Sequence, residues 1–175
     1  MTKKPEIVKA EDLIYRKDGL YYKKNTKVPF TGTSESFGVN GQVKMEYKNG
    51  KFDGFREQCR TDGSLWIREN HKNGKLHGVF LQFYSNFHIK HIHHYKTGKM
   101  DGLQETFYDK GYLLSERSFF KNGKSHGPYQ LFYENGQLEE EGNDKNGKPH
   151  GIRRYFDEEG NLTKSETWEN GKLIE

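Results

Sequence analysis

GPYQLFYENGQLEEEGNDKNGKPHG, residues 127–151, holds both turns of the unit from which this chain is built. The tripeptide Glu134-Asn135-Gly136 separates Phe132 from Leu138. Glycine third in a three-residue hairpin loop fits a type I turn closed by a left-handed residue. On that register Phe132 faces Leu138, and the two share one side of the sheet. Asn146-Gly147 follows as a two-residue type I′ turn, which requires positive φ at both positions. Two turns in one unit predict two antiparallel strands per repeat.

The unit recurs along the whole sequence. Gly32, Gly54, Gly78, Gly102, Gly127 and Gly151 are spaced by 22, 24, 24, 25 and 24 residues. Five positions after each comes Phe37, Cys59, Phe83, Phe107, Phe132 or Phe156; eleven positions after comes Val43, Leu65, Ile89, Leu113, Leu138 or Leu162. The loops between are Val39-Asn40-Gly41, Thr61-Asp62-Gly63, Asp109-Lys110-Gly111 and Glu158-Glu159-Gly160. Asn49-Gly50, Asn73-Gly74, Thr97-Gly98, Asn122-Gly123 and Asn170-Gly171 repeat the second turn. They predict cross-strand pairs Tyr47–Phe52, His71–Leu76, Tyr95–Met100 and Trp168–Leu173.

The expected fold is all-β: an elongated, curved antiparallel β-meander of tandem hairpins of about 24 residues, each stabilised by its neighbours. Composition agrees, since only 31% of the residues are hydrophobic while 12 Phe, 11 Tyr and 2 Trp supply apolar area, which describes a thin folded object. One domain over 1–175 is expected. Residues 1–31 form a capping hairpin, with Asp18-Gly19-Leu20-Tyr21-Tyr22 and Pro29-Phe30-Thr31-Gly32 as its degenerate arms, and six repeats follow over 32–175. Lys3, Lys4 and Pro5 suit a protected edge.

The single cysteine, Cys59, excludes an internal disulfide, and no apolar leader or membrane-length run is present, so a cytoplasmic setting without an integral membrane segment is expected. Charge is divided. Up to Met100 there are 19 Lys and Arg against 10 Asp and Glu, and from Asp101 onward 10 against 15, which steers charged partners to one end or the other.

With these residues in place, segments such as Gly127 to Leu138 followed by Lys145 to Gly151 resemble the MORN-repeat variant, over about residues 18–174. Gly19-Leu20-Tyr21-Tyr22 and Pro29-Phe30-Thr31-Gly32 also resemble bacterial antitoxin or immunity proteins made of this variant. The resemblance implies a non-catalytic protein that neutralises a cognate toxin or effector by binding it and occluding its active site. It implies no catalytic residue and no cofactor. The alternative is a peripheral scaffold that binds anionic lipid head groups through its basic N-terminal part.

The third repeat departs from its siblings, with Phe87 where they have glycine, followed by His88, His91, His93, His94 and Tyr95. Alternation places His91 and His93 on one face of a strand, within reach of a shared divalent metal, but zinc asks for four ligands and no cysteine is near. The stretch is then an incidental polar strand or an exposed partner contact, the latter pH-sensitive near about 6.5. The partner-binding residues expected are Phe87, His88, His91, His93, Tyr95, Trp66, Glu139 and Glu141, with no metal. Glu139 and Glu141 offer a docking point for a basic toxin, and Trp66 is an aromatic anchor among Arg56, Arg60, Arg68 and Lys72.

His77, His126 and His150 precede the repeat glycine where Asp53 and Asp101 stand elsewhere, which marks a turn or inter-repeat contact. His71 takes an aromatic slot. The serines lack a nucleophile elbow, and the Asn-Gly-Lys segments lack the strand and helix of a phosphate loop. Lys51, Lys75, Lys99, Lys124, Lys148 and Lys172 follow the Asn-Gly turns as solvating groups rather than as a nucleic-acid stripe, so nucleic acid is not expected as a partner. A monomer or a homodimer is compatible with the open strand edges.

Overall fold

The computed structural model describes residues 6–110 and 112–175. The Lys3-Lys4-Pro5 edge lies outside them. The described residues contain no α-helix and form two compact units, Met1–Phe87 and His88–Glu175.

In the first unit, β1 (Ile7–Lys9) leads through a 3-10 turn at Ala10–Asp12 into the hairpin β2 (Leu13–Tyr15) and β3 (Tyr21–Lys23). The meander β4 (Gly32–Gly38), β5 (Gly41–Lys48), β6 (Lys51–Cys59), β7 (Leu65–Lys72) and β8 (Lys75–Phe83) follows, each strand antiparallel to the next. β1 lies parallel to β4, with Ile7 beside Thr33 and Lys9 beside Glu35. β2 and β3 form a hairpin ahead of the meander, whereas the segments expected as arms, 18–22 and 29–32, meet through the antiparallel bridge Tyr22–Pro29. Tyr21 N–H donates to Gly50 O at 2.8 Å and Phe30 N–H to Tyr21 O at 2.8 Å.

Tyr22, Phe30 and Tyr47 are the buried hydrophobic side chains among the described residues, all of them aromatic and all in this unit. Tyr47 packs on Phe52 at 5.0 Å, Tyr21 at 5.2 Å and Phe30 at 5.5 Å between ring centroids. His71 adds its ring to Phe52 at 5.8 Å, in the aromatic slot expected for it.

The second unit contains β9 (Ile89–Lys96), β10 (Lys99–Phe107), β11 (Leu114–Lys121), β12 (Lys124–Phe132), β13 (Leu138–Lys145), β14 (Lys148–Pro149), β15 (Gly151–Phe156), β16 (Leu162–Glu169) and β17 (Lys172–Leu173). It is an antiparallel meander from end to end. Its most buried side chains are polar: Gln104, Ser118 and Glu166.

Turn chemistry matches the sequence. Asn49, Asn73, Thr97, Asn122, Asn146 and Asn170 have φ of 50–56°, and the glycine after each is also positive, as a type I′ turn demands. All four expected cross-strand pairs form: Tyr47–Phe52, His71–Leu76, Tyr95–Met100 and Trp168–Leu173. Consecutive turns are joined by a backbone bond, from Gly74 N–H to Phe52 O at 2.7 Å in the first unit and from Gly123 N–H to Met100 O and Gly147 N–H to Ser125 O, both 2.8 Å, in the second.

The residue before the repeat glycine caps the next turn. Asp53 accepts from Asn73 N–H and Asp101 from Asn122 N–H, each at 3.0 Å, and His126 Nδ1 accepts from Asn146 N–H at 3.4 Å. His126 therefore makes the inter-repeat contact expected of it. At the opposite edge, Arg60 Nη2 donates to Phe83 O at 2.6 Å, Tyr108 Oη to Phe132 O at 2.6 Å and Tyr133 Oη to Phe156 O at 2.8 Å.

Two registers differ from those expected. Phe132–Leu138, Cys59–Leu65 and Phe156–Leu162 pair as predicted, but Phe107 pairs with Leu114 and not Leu113, because the β10–β11 loop is one residue longer than its siblings. Phe37 pairs with Gln42 and not Val43, because Gly38 pairs with Gly41 and leaves only Val39 and Asn40 in the turn.

Candidate functional site

The repeat glycine is the apex of a wide bulge, and this decides which histidines are committed to the fold. On β9 and β10 the register passes from Tyr95–Met100 directly to His93–Gln104, so three residues of β10 oppose one of β9. Gln104 satisfies the interrupted ladder: its Oε1 accepts from His94 N–H at 3.2 Å, and its Nε2 donates to His94 O at 3.1 Å and Gly102 O at 3.2 Å. His94 Nδ1 lies 2.7 Å from Leu103 O and therefore carries the proton. Asn70 Nδ2 donates to Val79 O at the equivalent bulge of the first unit. At Gly54, with φ of 116°, Glu46 accepts from Phe55 N–H at 2.9 Å, and a Cβ on the glycine would collide with that carboxylate.

His91 and His93 do lie on one face, with ring centroids 4.9 Å apart. His91 Nδ1 is 3.0 Å from Thr106 Oγ1. Burial, then the neighbouring His93 and Lys90, pulls the His91 pKa down to about 4, and burial also lowers that of His93. These two rings thus titrate below the pH of about 6.5 expected for the cluster. The described residues contain no group of three or more His, Cys, Asp and Glu placed to hold a metal ion.

The remaining candidates are dispersed. Tyr95 is at the Asn-Gly-type turn end of β9, opposite Met100. His88 is at the other end, its Nδ1 3.2 Å from Asp109 O and its ring 4.1 Å from that of Tyr112. Trp66 and Glu139 occupy the same repeat position in different units, the additional residue of a small bulge between Cys59–Leu65 and Gln58–Ile67 and between Phe132–Leu138 and Leu131–Glu140. Strict alternation consequently fails next to Glu139. Glu141 is engaged by Arg154 Nη1 at 2.9 Å.

Phe87, in the first unit, keeps the loop geometry of its siblings. Its N–H reaches Tyr84 O at 3.3 Å, as Gly63 N–H reaches Arg60 O at 3.0 Å, and its φ is 67°, a region that costs an aromatic residue energy. The side chain is 69% exposed. In the second unit Tyr112 repeats this arrangement, with φ of 57° and 69% exposure, where Gly136 and Gly160 serve in the sibling loops. Tyr112 was not among the residues singled out from sequence; the available signal was the 25-residue spacing from Gly102 to Gly127.

A denser polar cluster lies on the face shared by Tyr129, Glu140, Arg153, Tyr155 and Glu166. Arg153 bridges Asp144 at 3.3 Å and Glu140 at 3.6 Å beneath the rings of Tyr129 and Trp168. Tyr129 donates to Glu140, and Tyr155 to Glu166 at 2.9 Å. Burial and then the Glu140 bond raise the Tyr129 pKa, which keeps the phenol protonated as the donor. The network ties β12, β13, β15 and β16 together, and within it Arg153 Nε is buried without a hydrogen-bond partner.

Residues 125–148 and 149–170 match the family model described as MORN repeat variant. No curated protein matches the chain. The two matched segments fall on consecutive hairpins of the meander, with the Asn-Gly turns described above, so residues 125–170 are similar to two MORN-variant repeats.

Proposed function

We propose that the chain is a non-catalytic binding protein that captures a protein partner, and that the partner is a cognate toxin or effector whose active site it covers. The observation that supports this reading is the pair Phe87 and Tyr112. Each is an aromatic side chain held largely in solvent at positive φ, where glycine serves in other repeats. Such a residue costs the folded state of order 1–3 kcal/mol and contributes little packing in return, the signature of a position kept for contact. An interface of about 1,600 Å² with aromatic anchors is the expected scale. The antitoxin identity of the reading comes from the resemblance of the opening segment. Co-expression with the product of an adjacent reading frame tests it: a stable complex that silences that product's toxicity is expected, and free migration of the two proteins removes the reading.

A second reading is supported by the lysines flanking the Asn-Gly turns. Lys48 faces Lys51 and Lys72 faces Lys75 in the first unit, like charges directly opposed at a cost to the sheet. A peripheral scaffold on anionic lipid would relieve that repulsion. Sedimentation with phosphatidylserine vesicles at low salt is its test, and protein left wholly in the supernatant ends it.

A further inference from the structure

We propose that the loop edge of the second unit, centred on Tyr112, is a docking surface for a protein partner that is basic where it touches. The inference rests on the binding reading above and adds to it a place and a charge.

The geometry begins with one additional residue. Tyr108 N–H bonds Leu113 O at 2.9 Å across five positions, where Tyr133 N–H bonds Gln137 O and Asp157 N–H bonds Asn161 O across four. Tyr112 takes the left-handed position that Gly136 and Gly160 hold in the sibling loops, and its side chain is largely in solvent. His88 braces that ring at 4.1 Å, itself positioned by its Nδ1–H on Asp109 O at 3.2 Å. Beside it opens a cavity of about 300 Å³ lined by Tyr108, Asp109, Lys110, Leu113 and Glu134. Leu113, displaced from the strand register by the additional residue, is 38% exposed at this cavity. An exposed aromatic ring, an apolar wall and a preformed hollow are the ingredients of an interface anchor.

The edge around the anchor is acidic. The neighbouring loops contribute Glu134, Glu158 and Glu159, all exposed and in no ion pair among the described residues. Asn135 Nδ2 donates to the backbone carbonyl of Glu158 at 2.9 Å and ties one loop to the next, which brings the loops that carry these carboxylates together. After burial, Glu139, Glu158, Asp157 and Glu159 hold the Tyr133 phenol above its ordinary pKa, the mark of a negative field along this edge. Lys110 is the cation among the cavity residues. Nucleic acid and anionic membrane are repelled by such an edge. A protein segment with Lys or Arg flanking an apolar side chain fits it, the apolar group meeting Tyr112 and Leu113 and the cations lying over Glu134, Glu158 and Glu159.

The test uses the full chain and the co-expressed product of the adjacent reading frame, with affinity measured by calorimetry at low and high salt. Tyr112→Gly installs the residue of the sibling loops and leaves the fold intact by thermal melt, yet weakens the complex at least about tenfold. Glu134→Lys, Glu158→Lys and Glu159→Lys together weaken it similarly and abolish the loss of affinity with salt that the native chain shows. Absence of any complex with the native chain overturns the binding reading and this inference together. A complex whose affinity is unchanged in both variants overturns this inference alone.

Discussion

The phenol of Tyr108 donates to the carbonyl of Phe132, 2.6 Å away and one repeat onward. Tyr133 repeats the contact to Phe156, and Arg60 supplies a guanidinium for the same purpose to Phe83. A thin sheet with few buried side chains is thus held at its loop edge by side chains that reach over the next hairpin, as the glycine bonds hold its turn edge. Tyr108→Phe removes the donor while retaining the ring, and a loss of about 1 kcal/mol in urea unfolding is expected. Tyr133→Phe lowers stability in the same direction, and the double variant is expected to depart from additivity because the Phe132 carbonyl that Tyr108 holds belongs to the peptide group of Tyr133.

Thr97 is the one β-branched residue at the first position of an Asn-Gly-type turn, with φ of 53°. Asparagine adopts that conformation far more readily. Thr97→Asn is expected to raise stability by about 1 kcal/mol, read as a higher urea midpoint with an unchanged slope.

Burial depresses the His91 pKa to about 4, whereas an unfolded histidine titrates near 6.5. Above pH 6.5 the ring is neutral in both states and its contribution is complete. As pH falls from 6.5 toward 4 the unfolded chain binds the proton first, so stability declines across that window. His91→Gln cannot take up that proton, and its stability profile between pH 7 and 4 is expected to be flatter than that of the native chain. Parallel profiles in chemical denaturation would refute the assignment.

Arg153 lies between Glu140 and Asp144 with both partners largely covered. Arg153→Ala leaves two carboxylates facing one another beneath Tyr129, and a loss of about 2 kcal/mol is expected. Arg153→Lys restores the charge without the planar fork and recovers only part of that loss, which thermal melts of the two variants resolve.

The period, both turn types and the pairs from Tyr47–Phe52 to Trp168–Leu173 were legible because backbone chemistry dictates them: positive φ selects Asn and Gly, and the two-residue turn fixes which side chains meet. The glycine bulge was not legible. A residue needed for an apex at φ of 116° and one needed for a tight turn are both written as glycine, and Gly54 does not announce which it is. The register of the β10–β11 loop escaped for a related reason. Leu113 and Leu114 are adjacent leucines, so an apolar residue falls at the counted position whether or not the loop has grown by one. Of the candidate residues, Phe87 was visible as a departure from glycine, whereas Tyr112 follows a glycine and drew no notice. Trp66 and Glu139 share a bulge position that no composition argument connects.

The parallel seating of β1 on β4 gives the first unit a polarity. Every later strand arises by reversal at a turn, but a strand running in the same sense as its neighbour cannot be made that way. Duplication of a hairpin after Gly38 would lengthen the array and leave the entrance undisturbed. The same insertion between Lys9 and Gly32 would collide with the aromatic plug of Tyr22 and Phe30. Lineages of such chains should consequently vary in length on the far side of β4, and conserve the near side as a fixed starting block.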